Sequence, residues 1–140
     1  MFKLTIVTPE KKLVIKQEVD EITVPAFKGE LNVLPGHSPL ITTLETGVVK
    51  WKLSGKEEMN KAAISWGYCQ IAPDGVHILA DIAELPEEID YETEMKELAV
   101  AEAKLANETL SDEEWKNVQR EIALSRAGIE ALPATKKPLH

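Results

Sequence analysis

The hydrophobic positions change their period once along the chain, near Pro86. Before that point, apolar and polar residues alternate in short runs with a period of two, as in residues 2–7 and 13–16. Turn-forming sequences such as Ser54-Gly55-Lys56 and Pro73-Asp74-Gly75 separate these runs. Strands with turn signals every 8–12 residues or so are typical of a sandwich or barrel. The pattern predicts a β-sandwich of about ten strands, shaped as a flattened barrel. No helical pattern here is long enough to serve as a crossover, so most strand pairs are expected to be antiparallel.

Helical spacing begins after Pro86. The first predicted helix repeats its larger apolar side chains three, four or seven residues apart, at Tyr91, Met95, Leu98 and Leu105. The pattern breaks over residues 107–110. These positions predict one amphipathic helix with alanines filling its apolar face.

A second helix is predicted to begin at Ser111. Its hydroxyl can accept a hydrogen bond from the Glu114 N–H while the Glu114 carboxylate reaches back, which forms a capping box. Leu110 and Trp115 flank this box and can pack together. The apolar positions then recur at helical spacing, interrupted by Ser125, at Trp115, Val118, Ile122, Ile129 and Leu132. Pro133 is expected to end the helix.

Two short amphipathic helices are unstable alone, so an antiparallel hairpin is expected. Residues 1–85 are therefore predicted to form the β-sandwich. Residues 86–140 are predicted to form an appended, C-terminal two-helix hairpin.

Charge and cysteine usage narrow the possible functions. The chain has 140 residues and a net charge of −8, with most of the acidic excess in residues 84–121, so nucleic-acid binding is not expected. Cys69 is the only cysteine, which excludes an internal disulfide and a cysteine-based metal site. No apolar run approaches the roughly 18 residues of a membrane span. We therefore expect no direct membrane insertion, and any membrane association would come through a partner.

Candidate catalytic groups are sparse. His77 and Asp81 lie four residues apart on one predicted strand, about 13 Å at strand rise, which is too far for a hydrogen bond. The acidic run of residues 84–97 complements a helix N-terminus and lacks the glycine turn of a calcium loop. We predict no catalytic residue, no metal site and no cofactor.

The most specific motif is GELNVLPGHSPL, at residues 29–40. It reads as a strand that enters a Pro-Gly turn, in which Pro35 presets the turn and Gly36 permits positive φ. With the N-terminal strand ending in TPE and the later passage ILADIAELPEEID, the chain resembles the epsilon subunit of bacterial and chloroplast rotary ATP synthases. The resemblance covers essentially the whole chain, although Trp66 stands where the family normally has glycine.

The resemblance implies a non-catalytic subunit of the central stalk of a rotor. The sandwich would dock on the gamma subunit and stand on the polar loops of the c-ring, with Glu30 and His37 in the loop that faces the ring. Such a subunit couples proton-driven rotation of the ring to ATP synthesis. It would be peripheral, at the cytoplasmic face of the bacterial inner membrane, as part of the ATP synthase.

The resemblance also implies a regulatory hairpin. In bacterial members the hairpin either folds against the sandwich or extends into the catalytic head, where it contacts beta and alpha subunits transiently and restrains ATP hydrolysis. Lys116, Arg120 and Arg126 on the second helix are the cations expected to take part. The folded hairpin is expected to bury the stripe of Trp115, Val118 and Ile122.

Nucleotide sensing by the hairpin is the alternative function. Some members bind ATP through an IDxxRA motif at the start of the first helix, and two arginines on the second helix complete the site. Here Thr93 replaces the motif's arginine and Glu130 replaces one of the pair. Asp90 and Arg126 are the remnants of that site, so no nucleotide binding is expected.

Overall fold

The computed structural model describes residues 1–133, 135 and 137. Within them it has nine strands: β1 Phe2–Val7, β2 Lys12–Ala26, β3 Gly29–Val33, β4 Leu40–Leu44, β5 Gly47–Leu53, β6 Met59–Ile64, β7 Gly67–Ala72, β8 Gly75–Ala80 and β9 Ala83–Glu84. A single 3-10 turn, Pro86–Glu88, leads into the helices α1 Tyr91–Asn107 and α2 Asp112–Ala131. The last residues of the hairpin prediction (134, 136 and 138–140) lie outside the described residues.

The strands pair in the order β1-β8-β7-β4-β2-β5-β6-β9, with β3 beside β2 and β1 also paired with β2. Both layers of the sandwich share the long strand β2, so the sheet closes into a flattened barrel and the predicted fold class is confirmed. The described residues hold nine strands, in agreement with the nine or ten that the pattern predicts, although residues 12–26 form one strand where the pattern predicts two. A β-bulge explains the difference, since the pairing of β1 with β2 jumps from Leu4–Gln17 to Ile6–Val14. One pair, β1 with β8, is parallel.

The core of the sandwich consists of aliphatic side chains that point inward from alternate strand positions. Leu4 and Ile6 of β1, Ile22 and Val24 of β2 and Ile78 of β8 are almost fully buried. Each contributes about 1.5–3 kcal/mol by leaving water. Cys69 lies in the same core as a packing residue, and burial raises the pKa of its thiol to about 11.

The two helices pack against each other around Ala101, Val118 and Ile122. At the start of α2, the Glu114 N–H donates to the Ser111 hydroxyl at 3.2 Å and the Ser111 N–H donates to the Glu114 carboxylate at 3.3 Å, so the predicted capping box is confirmed. The helices are antiparallel, because the last turns of α2 return to the first half of α1.

The second half of α2 also packs against the sandwich. Ala127, Ala131 and the following Leu132 contact Val48 of β5 and Ala63 of β6, and together they form a small apolar cluster. The hairpin therefore covers the outer face of β5 and β6 and lies folded against the sandwich.

Two predictions about the apolar stripes were wrong. Met95 and Trp115 remain 41% and 49% exposed, although both were expected to lie on buried faces. Helix α2 instead buries small residues, Ser125, Ala127 and Gly128, because it must approach α1 on one side and the sheet on another. At Gly128 an added Cβ would meet the Glu94 side chain of α1 at 3.6 Å.

Candidate functional site

The Pro-Gly turn motif of residues 29–40 forms one end of the sandwich. Strand β3 runs along the edge of the sheet, pairing only with β2, and Glu30 lies exposed near its start. Beyond the end of β3, the His37 N–H donates to the carbonyl of Leu34 at 3.1 Å, and the His37 Nδ1 lies 2.7 Å from the carbonyl of Ser38. Gly36 has a φ of 84°, as the predicted Pro-Gly turn requires.

Glu30 and His37 thus lie near the two ends of β3. Glu30 lies about 10 Å along the strand from its last residue, Val33, and no hydrogen bond of the described residues joins Glu30 to His37. Phe27 and Leu34, also exposed, add apolar area at these two ends, and the Lys28 ammonium lies 5.8 Å from the centre of the Phe27 ring. The edge of β3 therefore presents one acidic, one imidazole and two apolar groups to a partner.

A second surface was missed by sequence reasoning. The sheet β1-β8-β7-β4 turns its inner side to the core, while its outer side carries apolar residues that nothing in the described chain covers. We call this side the outer sheet face and define it by Ile41, Trp66, Tyr68 and Leu79. Tyr68 and Leu79 are directly opposite each other on β7 and β8, and Thr43 of β4 pairs with Tyr68.

The outer sheet face contrasts with the opposite side of the sandwich. There the outward residues Val48 and Ala63 lie beneath helix α2 and are buried. On the outer sheet face, Tyr68 remains 53% and Ile41 71% exposed. A contiguous exposed apolar patch of this kind marks an interaction site.

The tight strand pairing beneath this face depends on glycine. A Cβ at Gly67 would lie 2.2 Å from the backbone oxygen of Leu79. Gly67 therefore lets β7 and β8 approach closely enough for Tyr68 and Leu79 to form one continuous surface.

The hairpin cations occupy two different sides of α2. Lys116 and Arg120 are exposed and line, with Trp115 and the turn residue Glu45, a cavity of about 310 Å³ between α2 and the end of β4. Arg126 instead faces α1, where its guanidinium donates to the Glu102 carboxylate at 3.4 Å. The structure thus groups Lys116 with Arg120 and separates both from Arg126.

The remnants of a nucleotide site are not brought together. Asp90 is the N-cap of α1, and its carboxylate accepts from the Thr93 hydroxyl at 2.7 Å and the Thr93 N–H at 3.1 Å. These bonds hold the pKa of Asp90 below its usual value. Arg126 is paired with Glu102, which lies about 18 Å further along α1 than Asp90.

Four carboxylates and one ammonium group meet where the sandwich joins the hairpin. A cavity of about 480 Å³ beside the buried Ser125 is lined by Glu84 of β9, by Glu94, Lys96 and Glu97 of α1 and by Glu121 of α2. Desolvation raises the pKa of both Glu84 and Glu94, and the neighbouring carboxylates raise them further. Within the described part of the chain, no three His, Cys, Asp or Glu side chains are arranged to hold a metal ion.

The raised pKa of Glu94 makes the packing of the hairpin dependent on pH. In the folded protein the pKa of Glu94 lies above its ordinary value of 4.5. Between these two pKa values the folded protein binds more protons than the unfolded chain. The free energy of unfolding therefore falls as pH rises from 4.5 through the raised pKa. Glu94→Gln removes that charge, and we expect a higher thermal midpoint at pH 7 with a flatter pH dependence. Thermal unfolding between about pH 4.5 and pH 8 measures this. Glu92→Gln, a charge removal at an exposed position of the same helix, is the control, and equal effects of the two variants would contradict the assignment.

None of the described helices combines the length and apolarity that crossing a membrane requires.

Comparisons with known proteins agree with this architecture. Residues 1–86 match the family described as ATP synthase, Delta/Epsilon chain, beta-sandwich domain. The chain is 65% identical over 129 residues to the ATP synthase epsilon chain of Bdellovibrio bacteriovorus, covering 92% of each protein. It is 40% identical over 127 residues to the ATP synthase epsilon chain of Geobacter metallireducens, covering 91% of this chain and 88% of that one.

A solved structure shares the fold. A chain in the mitochondrial ATP synthase of Euglena gracilis, in an assembly described as OSCP/F1/c-ring, superposes with a TM-score of 0.79 at 24% identity, covering 93% of this chain and 79% of that one. The family match over residues 1–86 assigns the sandwich to the delta/epsilon class. The identities across almost the full length are more specific: the chain belongs to the ATP synthase epsilon chain family.

Proposed function

We propose that this protein is a non-catalytic subunit of the ATP synthase central stalk, which couples proton-driven rotation of the c-ring to ATP synthesis. The observation that supports the role most directly is the outer sheet face. The hairpin covers one face of the sandwich, whereas the other face is apolar and exposed. An exposed apolar face of this kind is typical of a surface that docks on a partner.

The gamma subunit is the partner that this face fits in the proposed role. In a central stalk, a rotor subunit needs one surface for the shaft and another for the ring. The outer sheet face and the edge of β3 are two separate surfaces of this chain that meet those needs.

In this proposal the two parts of the chain have different roles. Residues 1–85 provide both docking surfaces, and residues 86–140 form a regulatory hairpin that restrains ATP hydrolysis by leaving the sandwich and entering the catalytic head. The protein acts at the cytoplasmic face of the bacterial inner membrane and is held there by its partners. The hairpin would contact the catalytic beta and alpha subunits only in its extended state.

No contact among the described residues supports nucleotide sensing as the function. The Asp90 carboxylate is engaged by Thr93 and the Arg126 guanidinium by Glu102, so neither faces a shared site.

Cysteine cross-linking in the intact synthase tests the proposed role. Glu30→Cys and His37→Cys are expected to cross-link to c-ring loops, whereas Leu79→Cys is expected to cross-link to gamma. Cys69 is buried and does not compete. Lys56→Cys, in the turn between β5 and β6, is the control and is expected to trap neither subunit. If Glu30→Cys and His37→Cys trap only gamma or stator subunits, the orientation of the protein in the stalk is wrong.

A further inference from the structure

Two sequence motifs with no part in the proposed docking surfaces meet at the base of the hairpin. The first is Thr8-Pro9-Glu10, in the turn between β1 and β2, and the second contains the 3-10 turn Pro86–Glu88. The ammonium of Lys11, directly after the first motif, donates to the Glu88 carboxylate at 2.6 Å. We call this contact the root ion pair. Among the described residues it is the one ion pair that joins the sandwich to the segment leading into the hairpin.

The turn between β1 and β2 holds the backbone of Lys11 in place. The Thr8 N–H donates to the Lys11 carbonyl at 2.8 Å, and the Lys11 N–H donates to the Thr8 hydroxyl at 3.0 Å. Pro9 fixes one of the backbone angles between them. Because the backbone beneath the Lys11 side chain is already ordered, only the side chain loses freedom when the root ion pair forms.

The Glu88 carboxylate has a second partner at the boundary between the two parts of the chain. Its other oxygen accepts from the Leu85 N–H at 3.1 Å. The Lys11 ammonium, and after it the Leu85 N–H, hold the pKa of Glu88 below its usual value. Leu85 packs against the core of the sandwich, whereas Ile89 is buried in the cluster with Ala127 of α2. The root ion pair therefore lies where the chain passes from the sandwich core to the hairpin.

Lys11 also acts on the acidic residues around it. It lines a depression of about 290 Å³ whose other charged residues are all acidic: Glu10, Asp81, Glu84 and Glu88. Burial raises the pKa of Glu84, and the positive charge of Lys11 opposes that rise, whereas the charges of Glu88 and Glu97 add to it. Glu84 faces the acidic residues of α1 in the neighbouring cavity, so Lys11 offsets part of the repulsion between the sandwich and the hairpin.

We propose that the root ion pair controls the release of the hairpin: the contact of Lys11 with Glu88, and the charge of Lys11 beside Glu84, hold the hairpin folded on the sandwich. When the hairpin leaves the sandwich, the segment that carries Glu88 turns with it and the contact is lost. The proposal rests on the part of the proposed function in which the hairpin extends, and it names the contact that opposes extension.

The exposure of the root ion pair limits the size of its effect. The two side chains are 40% and 42% exposed, and pairs in contact with water contribute little to the stability of a fold. Two hairpin states of similar free energy nevertheless change their populations in response to a small difference. We therefore expect Lys11 to shift the balance between folded and extended hairpins while the thermal midpoint of the sandwich changes little.

The test uses the full chain reconstituted with F1 depleted of this subunit. Dyes on Lys56→Cys in the sandwich and on Glu108→Cys at the tip of the hairpin report the ratio of extended to folded molecules by energy transfer. Lys11→Gln is expected to raise this ratio about twofold to fivefold. Lys12→Gln is the matched control, because Lys12 is the neighbouring exposed lysine and takes part in no ion pair of the described residues. It is expected to leave the ratio unchanged.

Charge exchange separates the root ion pair from a structural role of the turn. Lys11→Glu and Glu88→Lys are each expected to favour the extended hairpin, because each places like charges side by side. The double variant Lys11→Glu/Glu88→Lys restores an opposite pair and is expected to hold the hairpin folded better than either single variant. The double variant and Glu88→Lys both lack the carboxylate that accepts from Leu85, so their difference reports the ion pair alone.

The ATPase rate distinguishes failure of this inference from failure of the proposed function. More extended hairpins mean more inhibition, so Lys11→Gln is expected to lower the rate by up to about fivefold. If Lys11→Gln matches Lys12→Gln while deletion of residues 87–140 raises the rate, the inference is overturned and the proposed brake stands. An effect of Lys11→Gln without rescue by charge exchange also overturns the inference. If the deletion leaves the rate unchanged and no variant opens the hairpin, the proposed brake and the inference are both wrong.

Discussion

Leu79→Glu is expected to leave the isolated protein folded and to exclude it from the assembled synthase. The Leu79 side chain is 49% exposed and its backbone lies in the middle of β8, so a glutamate can point into water without entering the core. Against a docked apolar partner, the same carboxylate would be desolvated without a cation at that point. Central contacts of this kind are worth about 2 kcal/mol or more, which is a loss of about thirtyfold in affinity.

The measurement is the affinity of the purified variant for F1 depleted of this subunit. Met59→Glu is the matched control, because Met59 is an exposed apolar residue, at 38%, on the opposite side of the sandwich. We expect Met59→Glu to bind like the wild-type chain. Equal affinities for Leu79→Glu and the wild-type chain would place the docking surface elsewhere.

The alternating pattern was sufficient to predict a sandwich, but not its exact strands. Residues 16–18 are polar, which indicates a break between two strands. In the structure, β2 continues through these residues with a bulge at Lys16. A bulge and a turn share the same local signal, a loss of alternation, and only the pairing with β1 distinguishes them. The cap of α2 at Ser111 was predicted correctly because it depends on neighbours within four residues.

The outer sheet face could have been predicted in part from the sequence. Tyr68 and Leu79 occupy outward positions between inward-facing Gly67, Cys69 and Ile78, so apolar residues at both phases of the alternation signal a strand covered on both sides. Which element covers each side of the sheet depends on the tertiary structure and cannot be read from the alternation. The small residues Ala127 and Ala131 of α2, and not the larger Trp115, decide where the hairpin packs on the sandwich.

The parallel pairing of β1 with β8 was not predicted from the sequence, because no helical crossover precedes β8. The connection from β1 to β8 instead runs through most of the sandwich.

Deletion of residues 87–140 is expected to raise the ATPase rate of the reconstituted synthase. The folded hairpin is held to the sandwich by a small apolar cluster around Ala127, Ala131 and Leu132, while Glu84 and Glu94 repel each other at the junction. An interface that combines modest burial with like charge can be left at little cost. If the free energies of the folded and extended hairpin states differ by no more than about 1.4 kcal/mol, about 10–90% of the molecules are in the extended state. Complete relief of such a brake then raises the rate by up to about tenfold.

The cations of α2 allow the same brake to be tested without a deletion. Lys116 and Arg120 lie in the cavity beside Trp115, exposed to water and without an ion pair to the described residues, so they contribute little to the folded state. In the proposed extended state they would contact a catalytic beta subunit, where attraction to acidic side chains would stabilise inhibition. Lys116→Gln/Arg120→Gln is therefore expected to raise the ATPase rate part of the way towards that of the deletion, whereas Lys56→Gln/Lys104→Gln should leave it unchanged. With the subunit still present in the assembled enzyme, a deletion that does not raise the rate would show that the hairpin is not a brake in this protein. A deletion that raises the rate while the cation variant does not would place inhibition in the bulk of the hairpin and remove Lys116 and Arg120 from it.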